Sequence, residues 1–276
     1  MKLKVAKRED VYLKLGLEAV SGGGKTFSSI LLSKGLVGDL SKVCIIDTEN
    51  GSSNLYSNLG NYNVLELSTF SPMEYIKAID LCIAEGMKCI IIDSITHEWE
   101  WCLAYHAKLG GRYQDWATVT PLHDSFRNKM LQSPVHIITS VRKKQKYELA
   151  KDSTGKNVVN KLGVDTVFRD GWEYEVTANF SIDEDHKAHT TKDRTQIFDG
   201  TDPFLITEET GITLKNWLLS SAGNDEKALQ QAFQKINNAN SKEELLGIFN
   251  EYESLNKNGS FKEALNKKKE ELTKNN

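Results

Sequence analysis

The chain has 276 residues, of which 39% are hydrophobic and 26% are charged, and its formal net charge at pH 7 is -3. This composition allows a buried core and excludes a basic coat over the whole surface, and no apolar run approaches the roughly 20 residues of a membrane span. Because the start lacks the apolar block of a signal peptide and the four cysteines form no CxxC pair, we expect a cytoplasmic protein with reduced thiols and no membrane partner.

Strands and helices alternate through the first half of the sequence. Short runs rich in β-branched residues predict strands at residues 11–20, 42–47, 63–67, 88–93 and 134–140. Helices are predicted at residues 27–36, from residue 71 and from residue 120. The second of these helices has a capping serine, Ser71, followed by a first-turn proline. The alternation indicates an α/β fold with a mostly parallel central sheet flanked by helices.

The second half changes character twice. Residues 141–171 are polar and charged without a sustained period, which predicts a long mobile loop. Residues 173–182 and 187–196 alternate as two adjacent strands. From residue 222 the composition becomes helical and highly charged. We therefore predict an α/β domain over residues 1–221 and a small C-terminal helical tail over residues 222–276.

The segment between the first strand and the first helix carries the strongest chemical signal. Its glycines let backbone N–H groups turn toward a phosphate, and the following helix presents its positive N-terminal end to the same anion. Lys25 can reach the β- and γ-phosphates, and the Thr26 hydroxyl can ligate magnesium. The pattern GxxxxGK[ST] starts with glycine where this chain has Ala19, so the alanine needs an ordinary negative φ. The predicted nucleotide-binding residues are Ser21, Gly22, Gly23, Gly24, Lys25, Thr26 and Phe27.

Carboxylates follow two of the predicted buried strands. Asp93 ends one of them and can hold magnesium opposite Thr26. No acid comes directly after Asp93, so another carboxylate has to polarise the attacking water. Glu49, just past the preceding strand, is our candidate for this role, and Glu98, one helical turn beyond Asp93, is its rival.

Four motifs, in their order and spacing, resemble those of RecA-like ATPases of bacteriophage: AVSGGGKT, IIDTEN, IIIDSIT and HTTKDRT. The nearest group is the phage nucleotide-binding ATPases linked to single-strand annealing and recombination, and the resemblance spans roughly residues 8 to 220. It implies a RecA-like P-loop NTPase fold in which one strand of a twisted sheet separates the phosphate-loop strand from the Asp93 strand. It also implies ATP and Mg²⁺ as cofactors, and ATP hydrolysis in phage recombination, annealing or replication in the host cytoplasm.

The resemblance assigns roles to further residues. Glu49 matches the glutamate that activates water, and Ser140 stands where such proteins carry a polar γ-phosphate sensor. Because serine is shorter than the glutamine usual there, Thr139 or Arg142 is an alternative sensor. Lys192 and Arg194 match a pair that reaches the nucleotide of a neighbouring subunit. This match implies a homo-oligomer, either a ring or a filament, with ATP between subunits.

Cations and an aromatic residue follow the fourth strand, namely Arg142, Lys143, Lys144, Lys146 and Tyr147. Cations release counterions from a nucleic acid, and an aromatic ring can stack on an unpaired base. In RecA-like proteins the loop at this place holds single-stranded DNA, so we expect DNA binding here and DNA-stimulated ATP turnover.

Two other functions stay open at this point: a P-loop kinase acting on a small molecule, and a nucleotide-controlled assembly switch that does not hydrolyse ATP. No arginine-dense lid segment supports the kinase. The helical tail is also open to docking a replication partner, such as a single-strand-binding protein, although no particular residue of the tail indicates it.

Overall fold

A computed structural model of the chain describes residues 6–151, 157–220, 224–252, 255–256 and 258–274. Residues Tyr12–Lys215 form one compact unit, and the described residues before Tyr12 and after Lys215 form a second. The boundary near residue 222 stays a prediction. Across the described part of the chain, no helix is both long and apolar enough to cross a membrane.

The larger unit is built on one mixed sheet. Its strands are β1 (Lys14–Ala19), β2 (Val43–Asp47), β3 (Asn63–Glu66), β4 (Cys89–Asp93), β5 (His136–Lys151), β6 (Asn157–Thr166), β7 (Ala178–Ile182), β8 (Lys187–Asp193) and β9 (Phe204–Leu205). The order across the sheet is β3-β2-β4-β5-β1-β7-β8-β9, and β6 pairs with β5. The six strands from β3 to β7 in this order are parallel. As the resemblance implies, β5 separates the phosphate-loop strand from β4.

The helices of the chain are α1 (Lys25–Val37), α2 (Pro72–Ala84), α3 (Thr96–Leu109), α4 (Trp116–Gln132), α5 (Trp172–Glu175), α6 (Glu208–Leu219), α7 (Asn224–Asn238), α8 (Lys242–Glu251) and α9 (Gly259–Lys274). The predicted cap of α2 is present, since the Ser71 hydroxyl oxygen accepts the Glu74 N–H at 3.4 Å. The central strands connect to helices in the alternation that the sequence predicts. The mostly parallel α/β architecture is therefore confirmed.

The central strands are buried on both faces of the sheet. Every residue of β2 and β4 is buried, and parallel strands covered on both faces need such continuous apolar runs. On one face, Ile46 and Ile92 belong to the same core as Tyr75 of α2 and Phe126 of α4. All four cysteines are buried and free. These runs end at the acidic residues of the site, so packing of the sheet fixes where those carboxylates emerge.

Three predictions of local structure are wrong. Residues 141–171 are not one loop, because β5 continues to Lys151 and pairs antiparallel with β6. An antiparallel ladder satisfies its own backbone N–H and C=O groups, so it does not need an apolar alternation. Helix α4 starts at Trp116 and contains Pro121, because the helical spacing of buried residues extends upstream to Val119. Residues 173–175 lie in α5, and β7 starts only at residue 178.

In its described residues, the smaller unit contains three amphipathic helices, α7 to α9. They share a core that includes Ile236, Ile248 and Phe261, at positions with the helical spacing that the sequence shows. Ser241 caps α8 by accepting the Glu244 N–H at 3.1 Å, and the Glu244 carboxylate accepts a backbone N–H at 2.8 Å in return. The described residues of the tail therefore have a small hydrophobic core of their own.

Candidate nucleotide-binding site

The loop between β1 and α1 has the backbone of an anion cradle. Gly22 and Gly24 have φ angles of 80° and 87°, in the left-handed region that favours glycine. At Gly23 a Cβ atom would lie 2.7 Å from the Ala19 Cβ atom, so glycine is required beside this alanine. Ala19 ends β1 without a positive φ, as its replacement of glycine requires. Because the N-cap residue Gly24 has no side chain to bond the first helical amides, those N–H groups can face an anion.

Lys25 begins α1, and its ammonium group bends back over the loop. Its Nζ atom donates to the carbonyl oxygens of Ala19 at 3.3 Å and Val20 at 3.1 Å. Burial lowers the pKa of Lys25, while the charges of Asp93 and Glu49 act in the opposite direction. The ammonium group is therefore bound to the loop backbone, where phosphate oxygens can replace its two carbonyl partners.

The two predicted metal ligands are in contact. The Thr26 hydroxyl donates to Oδ2 of Asp93 at 2.5 Å, and the Ser140 hydroxyl donates to Oδ1 of the same carboxylate. Burial raises the pKa of Asp93, and the two hydroxyl hydrogen bonds oppose this shift. Ser140 is fully buried and here orients Asp93. Its role as a γ-phosphate sensor stays a prediction. Thr139 donates to a backbone carbonyl of β1 instead.

Two residues that the sequence reasoning did not select fix the loop after β2. The Thr48 hydroxyl donates to the backbone carbonyl of Asp93 at 3.0 Å and accepts the Ser94 N–H at 2.8 Å. The buried carboxylate of Asp47 accepts the backbone N–H groups of Glu49 at 2.7 Å and Ser53 at 2.9 Å. The sequence signal for both was their place at the end of a buried strand. Together they hold the segment that carries Glu49 against the end of β4.

Glu49 lies at this edge of the sheet and pairs with Arg142. Its Oε1 atom accepts from the Arg142 Nε atom at 2.9 Å and lies 2.8 Å from an Nη atom. The two side chains are 24% and 36% exposed, respectively. The charge of Glu49 raises the pKa of Lys25, and the charge of Arg142 lowers it. Sequence reasoning assigned Arg142 to DNA and, as an alternative, to phosphate sensing, and the ion pair with Glu49 was missed.

Glu98 lies elsewhere. Its fully buried carboxylate is 3.0 Å from Nδ1 of His123 on α4, and it accepts from the Cys102 thiol at 3.2 Å. Burial raises the pKa of Cys102, so this thiol stays protonated and can donate. Both carboxylate oxygens of Glu98 are thus occupied within the core formed by α3 and α4. The geometry favours Glu49 over Glu98 as the residue that polarises water.

Lys192 and Arg194, the predicted trans-acting pair, are accessible and bind the same backbone carbonyl. Arg194 donates from an Nη atom to the carbonyl oxygen of Tyr174 at 2.8 Å, and Lys192 donates to the same oxygen. The two side chains therefore project to the same face, as their spacing predicts. Burial and the neighbouring Arg194 lower the pKa of Lys192.

The predicted DNA-binding residues separate into different environments. Lys143 is nearly buried, at 3.0 Å from a carboxylate oxygen of Glu18, and also donates to Ser181 at 2.6 Å. Lys144 is 71% exposed. The side chains of Lys146 and Tyr147 lie outside the described residues, although their backbones belong to β5. Lys143 therefore braces the sheet, whereas Lys144 faces solvent.

A histidine that no motif indicated lies beside the loop. A Cβ atom added at Gly24 would be 3.2 Å from Nδ1 of His186, which sits in the turn between β7 and β8. The sequence contains no signal for this contact, because it depends on how the two strands pair across the sheet.

The residues present fit a magnesium nucleotide. Glycines occupy the loop where a Cβ would be obstructed or strained, and the loop leads into the positive end of a 13-residue helix. A hydroxyl and a carboxylate, both hard oxygen ligands, are adjacent at its foot. Thr26 and Asp93 are the residues that would hold the ion, and Lys25 with the loop amides would hold the phosphates.

Fold and site together define a P-loop nucleotide-binding ATPase. A family model described as an AAA domain matches residues 12–202, well over half of the chain, and the chain belongs to this family. No curated protein sequence matches the chain. Among solved structures, an ATPase from the type III secretion system of pathogenic bacteria is similar over 95% of this chain and 75% of that one, with 14% identity and a TM-score of 0.39.

Proposed function

We propose that this protein hydrolyses ATP with Mg²⁺, acts on single-stranded DNA in phage recombination, annealing or replication, and works as a homo-oligomer with ATP between subunits. The proposal rests on one observation above all, the hydrogen bond from Thr26 to Asp93 at the head of α1, directly beside Lys25. This contact brings together the helix N-terminus, an ammonium group and two hard oxygen ligands.

Each group at the loop has a task in phosphoryl transfer. The loop amides and Lys25 bind and orient the β- and γ-phosphates, and catalysis of this reaction is mostly such positioning and charge stabilisation. Thr26 and Asp93 would hold Mg²⁺, which would supply positive charge to offset the negative charge that develops on the phosphates. Asp93 must be ionised to hold the ion, and the hydroxyls of Thr26 and Ser140 favour that ionised form against the cost of burial.

Glu49 would orient and polarise the attacking water. Its backbone is fixed by Asp47, and its side chain is exposed enough to meet water. Arg142 holds this carboxylate in an ion pair, and it begins the cationic run of β5. A DNA phosphate that attracted Arg142 would weaken the ion pair and free Glu49. This geometry supports a direct link between DNA binding and ATP turnover.

Support for the DNA and subunit contacts is of a different kind. The exposed Lys144 follows Arg142 on β5, so the strand leads from the ATP site to a cation that faces solvent. Lys192 and Arg194 share a carbonyl partner at the surface, where a neighbouring subunit can approach. Both cations can thus serve a nucleotide that is bound by another copy.

Turnover of ATP with and without single-stranded DNA tests the proposal. We expect DNA to stimulate the wild-type protein, and Lys25→Ala to lose about 100-fold or more in turnover. Lys34→Ala is the matched control, because Lys34 lies on the same helix in a surface ion pair with Glu208. Phosphate transfer to a small acceptor would instead identify a kinase, and nucleotide binding without turnover would identify a switch. Normal turnover by Lys25→Ala would reject the site.

A further inference from the structure

A groove runs between α8 and α9 in the tail and encloses about 560 Å³. Each helix lines it with four residues at positions i, i+3, i+4 and i+7. The lining residues are Lys242, Leu245, Leu246 and Phe249 on α8, and Lys262, Leu265, Asn266 and Lys269 on α9. Residues at this spacing share one face of a helix, so two helix faces meet along the groove.

The floor of the groove is apolar and open to solvent. Leu246 is 61% exposed and Phe249 is 36% exposed, whereas Leu245 beneath them belongs to the core of the tail. Two large apolar side chains at the surface next to a third one of the core form a contiguous hydrophobic strip. Such strips, when they are rimmed by polar groups, are typical of interaction sites.

The rim of the groove carries one sign of charge. Its charged residues are Lys242, Lys262 and Lys269, and the described lining includes no carboxylate. Of the three acidic residues of α8, Glu244 completes the helix cap, Glu251 pairs with Lys235, and Glu243 does not line the groove. The groove is thus locally basic in a chain with a net charge of -3.

We propose that this groove docks a helical segment of a partner protein that carries carboxylates beside bulky apolar side chains. An amphipathic helix places its apolar residues at i, i+3, i+4 and i+7 into such a groove, and the three lysines would pair with its acids. Nucleic acid is the weaker fit, because single strands stack successive bases on aromatic platforms and Phe249 is the single aromatic residue of the described lining. A second copy of the tail is also the weaker fit, since a two-fold contact would bring the lysine rims together.

Fluorescence anisotropy on the whole 276-residue chain tests this proposal, which does not depend on ATP. The probe is a labelled amphipathic peptide of about 18 residues, with Leu and Phe at the groove spacing and Glu at most other positions. The control peptide has the same composition in scrambled order. We expect a dissociation constant below about 100 µM, and weaker binding when the salt concentration rises from about 0.05 M to about 0.5 M. The scrambled peptide should bind little.

Matched variants locate the binding. Lys262→Glu and Lys269→Glu should each raise the dissociation constant of the peptide about fivefold. Lys267→Glu, on the same helix but outside the groove, should leave it unchanged. Leu246→Ser should raise it about tenfold, with Leu219→Ser as control because Leu219 is 60% exposed and does not line the groove. These are exposed positions, and circular dichroism checks that each variant folds.

Several outcomes would overturn the proposal. They are no binding at about 100 µM, equal binding of the scrambled peptide, and equal loss in the Lys267→Glu control. A labelled oligothymidine that binds with the same dependence on Lys262 and Lys269 would assign the groove to nucleic acid. A dimer in sedimentation that Leu246→Ser abolishes would assign it to a second copy. Because ATP turnover is expected to stay normal in all these variants, failure here is distinguishable from failure of the ATPase proposal.

Discussion

Removing Arg142 should uncouple ATP turnover from DNA. The Glu49–Arg142 contacts of 2.8 and 2.9 Å are good ion-pair geometry, but the side chains are 24% and 36% exposed, so water screens the attraction. A partly exposed pair of this kind contributes about 1 kcal/mol, which corresponds to about a fivefold change in the fraction of free Glu49. Arg142→Ala should therefore raise DNA-free turnover about fivefold and lower the stimulation by DNA by a similar factor.

The assay is steady-state phosphate release at saturating ATP, with and without a single-stranded oligonucleotide. Arg127→Ala is the matched control, because Arg127 pairs with Asp124 at side-chain exposures of 32% and 35%, away from the phosphate loop. Arg142→Lys should give an intermediate result, since lysine keeps the charge but not the paired geometry. Lower DNA-free turnover in Arg142→Ala would refute this reasoning and would indicate that the guanidinium contacts the transferred phosphate.

Three further predictions concern the buried carboxylates and the trans-acting pair. Asp93→Asn should raise the thermal midpoint of the ligand-free protein and remove magnesium-dependent nucleotide binding. Burial places the folded-state pKa of Asp93 above its unfolded value, so the contribution of Asp93 to stability is lost as the pH rises through the folded pKa. The amide of the variant does not ionise and avoids this loss. Equal midpoints for both proteins at neutral pH would contradict the prediction. Mixing equal amounts of the Lys25→Ala and Arg194→Ala proteins should restore about a quarter of wild-type turnover. Half of the subunits keep an intact loop, and half of the neighbours of those subunits supply the arginine. A turnover equal to the sum of the two residual activities would place Arg194 in the site of its own subunit. Glu98→Ala should lower the free energy of unfolding in urea by about 3 kcal/mol, because His123 loses its buried partner. The folded variant should keep its ATP turnover. Lost turnover at unchanged stability would make Glu98 the residue that polarises water.

The sequence predicts well those features that depend on neighbouring residues. The phosphate loop is contiguous, so its glycines, lysine and threonine show the backbone bend and the helix start at once. The strands that end at Asp47 and Asp93 are short runs of buried β-branched residues, because helices cover both faces of a parallel sheet. A capping serine marks the start of α2 in the same local way.

The wrong predictions concern helices and strands that depend on contacts between residues distant in the sequence. The β5–β6 hairpin is stabilised by backbone pairing between two polar segments, and a polar segment without period is indistinguishable from a loop in sequence. The start of α4 is set by which side chains reach the core, and Pro121 gave the stronger but misleading local signal. Local propensity is overridden wherever packing contributes more free energy.

By itself the sequence determined that this protein has an α/β fold with a phosphate-binding loop, because both follow from short contiguous patterns. Only the tertiary structure decided which carboxylate can meet water. Glu49 and Arg142 are 93 residues apart in the chain and come together because β2 and β5 flank β4 in the sheet. Glu98 is close to Asp93 in sequence, yet the turn of α3 directs its side chain to His123 in the core. Side-chain direction and strand order are set by long-range packing, and no local pattern encodes them.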